Sequence, residues 1–287
     1  MNFTFTPLDW LENLHEFNTF ASHKATNFLN LKKVWITGAS DGIGAALAKY
    51  YNGKGYYTIL SGRNIENLKV TREELHSPKN SDIISFDVND FSKAEESVKH
   101  LLTIHRTPDI IILNAGISQR SLAIDTKMEV TEKLIRTNFL SNVNIMNSMI
   151  KEIIDNKSHI VVITSVTGKI GTPMRSSYAA SKHALHGYFD SFRAENSKYG
   201  VKITLVCPGY IRTQISINAL TGDGSAQKTM DKTTGSGMLP ETLAAKIYSA
   251  VKKGKSEVYI GGKEILGIYL KRFFPKLLER IIRNITP

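Results

Sequence analysis

Cysteine is nearly missing from this 287-residue chain: Cys207 stands alone, so no intrachain disulfide can form and nothing points to a small stapled secreted fold. Long apolar runs are missing too. No stretch of about 18 or more uncharged apolar residues occurs, which argues against a membrane-spanning helix. The eight histidines show no pairing with Cys, Asp or Glu at a metal-ligand spacing such as His-Glu-x-x-His, so no metal is expected. The N-terminus lacks the basic start and apolar centre of a secretion signal, and a cytoplasmic address is the expectation. What is present, 41% hydrophobic and 22% charged residues, is the composition of a soluble globular protein long enough to bury one large α/β core.

The net charge of +11 raises the question of an anionic partner, and its distribution narrows the answer. Residues 246–287 hold ten Lys or Arg against three Glu, so most of the excess lies in the C-terminal tail. That placement does not favour nucleic acid as a partner of the main domain.

From Lys33 onward, short β-rich runs alternate with longer helical periods, the pattern of repeated βαβ units. Strands are expected at 34–37, 57–61, 83–87, 110–113, 160–164, 202–206 and 258–260. Helices are expected near 43–51, 66–75, 93–105, 131–154, 178–199 and 241–252. Seven parallel strands with helices on both faces make a doubly wound Rossmann-type domain over residues 31–262. Ligands of such sheets bind beyond the carboxyl ends of the strands. Residues 1–30 form an extension in which Thr6-Pro7-Leu8-Asp9 reads as a helix start. The Gly-, Ser- and Thr-rich segment within 215–237 reads either as a solvated loop or as a lid over a pocket, and its place after the sixth strand favours the lid.

Immediately after the first strand comes Gly38-Ala39-Ser40-Asp41-Gly42-Ile43-Gly44, leading into an Ala-rich helix. Glycines there permit a tight turn and a close approach of backbone to a pyrophosphate, whose charge is stabilised by the free N–H groups of the helix N-terminus. The second strand ends in Ser61-Gly62-Arg63-Asn64, with no carboxylate. An NAD(H) site places Asp or Glu there for the ribose 2′-hydroxyl, whereas a guanidinium clamps a 2′-phosphate through parallel hydrogen bonds. Arg63, with Ser40 as a second contact, therefore favours NADP(H) over NAD(H).

The pattern Tyr-x-x-x-Lys occurs four times, at Tyr50/Lys54, Tyr178/Lys182, Tyr248/Lys252 and Tyr259/Lys263. Residues four apart share a helix face. Only Tyr178 has a serine thirteen residues before it at the end of an expected strand, Ser165; the other tyrosines have Thr37, Gly235 and Lys246 there. With Asn114-Ala115-Gly116 after the fourth strand, the constellation resembles the short-chain dehydrogenase/reductase family from about Lys33 to Gly262. The stretch SVTGKIGTPMRSSYAASKHALHGYFDSFRAE is most similar to the branch holding the dehydrogenase/reductase member 7 proteins and the 11β-hydroxysteroid dehydrogenases.

The resemblance implies an oxidoreductase that interconverts a carbonyl and a secondary alcohol. By its motifs Tyr178 is the acid/base, Lys182 binds the nicotinamide ribose, Ser165 donates to the substrate oxygen, and Asn138 holds a water of the proton relay. Asn114 and Gly116 lie beside the adenosine ribose, and Asp87 and Val88 flank the adenine. Ile211 and Thr213, in the Pro-Gly-x-x-x-Thr stretch, meet the carboxamide. The resemblance also implies a homodimer or homotetramer through the helices carrying Tyr178 and Asn138. An incomplete catalytic set would instead favour a non-catalytic NADP(H)-binding scaffold on the same fold, and here the set is complete. His183 and His186 are expected to turn away from the Tyr178/Lys182 face as packing or surface residues.

Residues 263–287 form a basic amphipathic tail. Leu266, Leu270, Phe273, Leu277 and Ile281 recur at helical spacing among Lys271, Arg272, Lys276, Arg280 and Arg283, and Pro275 should divide the tail into two short helices or kink it. Two readings stand: a cap packed on the domain or its dimer mate, or a peripheral anchor on an anionic membrane surface giving access to a lipophilic substrate.

Overall fold

A computed structural model describes residues 31–283 and 285. The helix expected from Thr6 lies outside the described residues. Seven parallel strands, β1 Lys33–Thr37, β2 Tyr57–Ser61, β3 Ser81–Ile83, β4 Ile110–Leu113, β5 His159–Ile163, β6 Lys202–Pro208 and β7 Glu257–Ile260, form one sheet in the order 3-2-1-4-5-6-7. Successive side chains of a strand point to opposite faces, and these strands are apolar on both. Val34, Ile36, Ile112 and Val161 enter one core with Leu47 and Ile247. Trp35, Ile111, Ile160 and Val162 enter the other with Val98, Leu101 and Phe189.

The helices are α1 Gly42–Gly53, α2 Ile65–Glu73, α3 Phe91–His105, α4 Met128–Ile135, α5 Ser141–Asn147, α6 Ile150–Asn156, α7 Ser176–Asn196, α8 Lys232–Gly235, α9 Pro240–Lys252, α10 Leu266–Phe273 and α11 Pro275–Ile282. The single helix expected over 131–154 is divided. A π-helical turn, Arg136–Leu140, joins α4 to α5, and the chain breaks again at Ser148 and Met149. Polar side chains there take up backbone acceptors: Ser141 Oγ donates to Thr137 O at 2.6 Å, Asn142 Nδ2 to Asn138 O at 2.8 Å and Ser148 Oγ to Asn144 O at 2.7 Å. Such bonds compete with a regular helical ladder and bend it.

The strand expected at 83–87 is displaced to Ser81–Ile83. Four residues beyond its end, the Asp87 carboxylate accepts from the backbone N–H and Nδ2 of Asn89 at 2.9 and 3.1 Å, in the turn that leads to α3. In the tail, Pro275 opens α11 after a break at Phe274, giving the two short helices its ring requires.

Strands β1 and β4 are neighbours in space but not in sequence, so the connections leaving them diverge to opposite sides. A crevice opens where they part. Thr37 Oγ1 accepts from Asn114 N at 3.0 Å and Ala115 N at 3.2 Å, while Asn114 Nδ2 donates to the carbonyls of Thr37 and Gly38, both at 3.0 Å.

Candidate active site

A cavity of about 540 Å³ lies beyond the carboxyl ends of the strands, over the parting of β1 and β4. Gly38, Ser40, Asp41, Gly42 and Ile43 line it from the β1–α1 turn, Arg63 and Val88 from the loops after β2 and β3, and Asn114 and Gly116 from the loop after β4. Ser165, Tyr178 and Lys182 form the opposite wall, with Ile211 and Thr213 beyond β6. Three residues singled out from the sequence, Gly44, Asp87 and Asn138, do not line it.

The β1–α1 turn packs too tightly on itself and on the loop after β4 to carry a side chain at two positions. Gly38 has φ of 65°, and a Cβ there would stand 2.9 Å from Ala115 Cα. A Cβ on Gly44 would stand 2.0 Å from Gly38 O, so helix and turn can meet only through glycine. Asp41 occupies the N-cap of α1 without a side-chain cap bond, leaving the first N–H groups of the helix to a ligand. Burial pushes the Asp41 carboxyl above its ordinary value. Arg63 stands largely exposed at the rim, its Nη1 4.0 Å from the Asp87 carboxylate. An uncapped helix end, a glycine turn and a rim guanidinium together fit a dinucleotide with a 2′-phosphate.

At the other wall, each catalytic candidate is held by bonds that leave one function free. Ser165 Oγ accepts from Thr167 N at 3.2 Å and from Thr167 Oγ1 at 2.9 Å, so its own proton is available to an acceptor in the cavity. Tyr178 is 7% exposed, its ring packed with Val130, Leu134 and Leu220. The start of α7 is fixed by Gln119, whose Oε1 accepts from the N–H of Ser177 at 2.9 Å and of Tyr178 at 3.1 Å. Lys182 Nζ donates to Ile163 O at 2.9 Å and lies 5.9 Å from the centre of the Tyr178 ring. Burial lowers the Lys182 ammonium to about 8.

Asn138 is fully buried in the π-helical turn, where its Oδ1 accepts from Ile117 N at 2.8 Å and its Nδ2 donates to Ile117 O at 3.0 Å and Ser181 Oγ at 2.9 Å. A Cβ on Gly116 would lie 3.0 Å from Asn138 Oδ1 and 3.5 Å from Lys182 Nζ. The two polar groups thus converge on one bare glycine.

Two residues of the site, Gln119 and Arg120, escaped the sequence reading. Gln119 caps α7, while Arg120 and Arg175 reach the cavity and meet Asp231 from the 215–237 segment. That segment folds back: Leu220 pairs with Gln119 and with Ala226, Ser216 and Ala219 are fully buried, and Ile215, Asn218 and Ala226 line the cavity. The signal was there in position, since Gln119 and Arg120 closely follow the Asn114-Ala115-Gly116 run and Arg175 precedes Tyr178 by three.

His183 and His186 do turn from the cavity. His183 Nδ1 bonds Ala179 O at 2.8 Å, and His186 packs inward, where His186, Cys207 and Glu257 hold their ligand-type atoms within 4.8 Å of one another. Sequence spacing gave no sign of this trio. Burial lowers His186 to about 4 and raises Cys207 to about 12. Lys169 Nζ, 2.9 Å from Glu257, already supplies the carboxylate with a cation.

Residues 32–223 match the sequence model described as short chain dehydrogenase. A dehydrogenase/reductase SDR family member 7B of Xenopus laevis is 38% identical over 267 residues, 89% of this chain and 82% of its own. The member 7-like protein of Drosophila melanogaster is 33% identical over 268 residues, 90% of this chain and 81% of its own. Among solved structures, an alcohol dehydrogenase from Thermococcus sibiricus complexed with 5-hydroxy-NADP superposes with a TM-score of 0.70 at 23% identity, covering 82% of this chain and 98% of its own. ElxO with NADP bound gives 0.69 at 25% identity, covering 82% and 99%.

The buried ammonium makes a measurable demand on stability. A lysine at about 8 in the folded state and 10.5 in the unfolded state costs stability below pH 8, about 3 kcal/mol at most, and the cost fades as pH rises through 10.5. Lys182→Met should therefore stabilise the cofactor-free protein at pH 7 by about 2 kcal/mol, after loss of one hydrogen bond. Urea denaturation should show that gain shrinking from pH 8 to pH 10.5; a gain absent at pH 7, or independent of pH, contradicts the burial of a charged lysine.

Proposed function

The chain belongs to the short-chain dehydrogenase family, oxidoreductases that act on CH–OH and C=O groups with a nicotinamide cofactor, and we propose that it is an NADP(H)-dependent member in which Tyr178 is the acid/base. The observation that carries this reading is the convergence of Ser165, Tyr178 and Lys182 on one wall of a cavity whose other wall is the glycine turn. Arg63 at the rim and the NADP named in the titles of the Thermococcus sibiricus protein and ElxO support the phosphorylated dinucleotide. When bound, the cofactor supplies or accepts the hydride. Gly38, Ser40, Gly42, Ile43, Arg63, Asn114, Gly116, Ile211 and Thr213 would hold it, with Asp87 and Val88 at its adenine end.

In reduction the carbonyl oxygen gains negative charge and then a proton, so the site needs a donor aimed at that oxygen and a positioned acid. Ser165 supplies the donor, since Thr167 occupies its acceptor side. Tyr178 supplies the proton. Lys182 places a positive charge near the phenolate that remains, which its low-dielectric surroundings strengthen. Asn138 holds Ile117 and so positions the loop against which Lys182 lies, and a water held between its Oδ1 and Lys182 would carry the relay of protons to solvent. The folded-back 215–237 segment serves as the lid.

The substrate is lipophilic on this reading. Next to Ser165 a second cavity of about 260 Å³, walled by Val166, Ile170, Leu266, Leu270 and Leu278, opens beneath α10 and α11. Those helices pack on Val166 and Ile170 through Leu278 but leave Leu266, Tyr269, Phe273, Phe274, Leu277 and Ile281 exposed beside a row of cations. Among the described residues no helix is long and apolar enough to cross a membrane. An exposed apolar stripe flanked by lysines and arginines fits the surface of an anionic bilayer. A homodimer or homotetramer through α4, α5 and α7 remains the assembly that the family implies.

Two experiments address these points. Tyr178→Phe should lower turnover of any accepted carbonyl compound by at least about a hundredfold while NADPH affinity changes little; substantial retained turnover would refute the role of the phenol. Phe273→Glu combined with Leu277→Glu should abolish sedimentation with phosphatidylserine vesicles, which the wild type should show in preference to phosphatidylcholine vesicles. A wild type that ignores both vesicles, or a variant that instead loses a dimer, gives the tail face to a second copy.

A further inference from the structure

Three charged groups meet in the wall of the cavity, and one charge is left over. Arg120 follows β4, Arg175 immediately precedes α7, and Asp231 precedes α8; they are 5%, 8% and 9% exposed. Oδ2 of Asp231 is fully engaged. Arg120 donates to its Oδ2 through Nε at 2.9 Å and also through Nη2, Thr234 Oγ1 donates to the same oxygen at 3.3 Å, and Gln227 Nε2 donates to Oδ1 at 2.9 Å. Arg120 is saturated as well, its Nη1 bonding Ser118 Oγ and Gln119 O at 2.9 and 2.6 Å.

Arg175 receives none of this. Its Nη2 stands 3.8 Å from Asp231 Oδ2 and makes no hydrogen bond. The guanidinium carbon lies 5.7 Å from the centre of the Tyr210 ring. Burial and the neighbouring Arg120 push Arg175 below its ordinary value, the direction expected of a cation short of a counter-charge. An unmet buried donor is destabilising, and more so when charged, so a group left this way calls for an explanation.

Its location supplies one. Arg175 lines the active-site cavity and also the second, apolar cavity, and it lies three residues before Tyr178. A guanidinium in a cavity wall binds a carboxylate or phosphate through charge-assisted hydrogen bonds. We propose that Arg175 is an anion-binding, specificity-determining residue, so that the substrate is an amphiphile with a carboxylate or phosphate at Arg175 and an apolar part in the second cavity. The carbonyl at Ser165 and Tyr178 rests on the oxidoreductase reading; the anion site does not.

Calorimetric titration of the full chain, with and without NADP⁺, using octyl phosphate, octanoate and octanol below their aggregation limits, tests the site without turnover. At least one anion should bind about tenfold tighter than octanol or better, and Arg175→Met should remove that preference while leaving the binding of octanol and NADP⁺ unchanged. Arg175→Lys, which keeps the charge, should retain part of it. The tighter of the two anions identifies the head group. Equal binding of anions and octanol to the wild type overturns the proposal, and so does an anion preference that survives in Arg175→Met, which would place the anion on the basic tail. A matching loss of NADP⁺ affinity in Arg175→Met would give the residue to the cofactor and also overturn it. Failure of the wild type to bind NADP⁺ while the anion preference holds would count against the oxidoreductase reading alone.

Discussion

The joint between β1 and β4 is the constraint on which the rest of the molecule depends. Two strands that lie side by side send their chains apart, and the edge groups left at that parting must find partners. One hydroxyl and one carboxamide supply them: Thr37 takes the N–H groups of Asn114 and Ala115, and Asn114 takes the carbonyls of Thr37 and Gly38. That lock sets where the glycine turn lies and how closely α1 can approach it. Because the Asn114 amide passes within 3.0 and 2.7 Å of where a Cβ on Gly38 and on Gly44 would be, the same contact explains why those two positions carry no side chain. The glycine turn and the wall carrying Ser165, Tyr178 and Lys182 are thereby fixed to one sheet, and their separation is set by its strands.

Much of this was legible from residue order. The strands are apolar on both faces, which a run such as Ile110-Ile111-Ile112-Leu113 announces without help from tertiary structure. The register of Ser165, Tyr178 and Lys182 also survives into space, because a strand end and one helical turn are local objects. What did not show was everything made by long-range pairing. Arg120 meets Asp231 across 111 residues, and Gln119 caps α7 from 58 residues away. No local period encodes such contacts. The break in the helix expected over 131–154 was hidden for a different reason: its apolar spacing continues across Arg136–Leu140, and only the serine and asparagine side chains betray the competing bonds. The tail stripe of Leu266, Phe273, Leu277 and Ile281 was visible in sequence, but that it faces outward while Leu278 faces in was not.

Cations outnumber the one carboxylate, Asp41, in the lining of the cavity. Lys182, Arg175 and Arg63 all present cations to it, and two of the three are buried at a cost to the fold. On the proposed reading, stability is given up at the two buried cations, where a phenolate beside Lys182 and an anionic head group beside Arg175 would be received, while Arg63 stays exposed at the rim. Charged groups already ordered before a ligand arrives need no reorganisation when charge develops, which is where preorganised sites gain their effect.

The central claim is that this cavity receives a phosphorylated nicotinamide dinucleotide. Titration of the purified full-length protein with NADPH and with NADH, followed by calorimetry, tests it most directly. One NADPH should bind per chain, about tenfold tighter than NADH or better, since the paired bonds of a guanidinium to the 2′-phosphate are worth at least about 1.4 kcal/mol. Absence of binding by either dinucleotide, or an equal affinity for both, would contradict it.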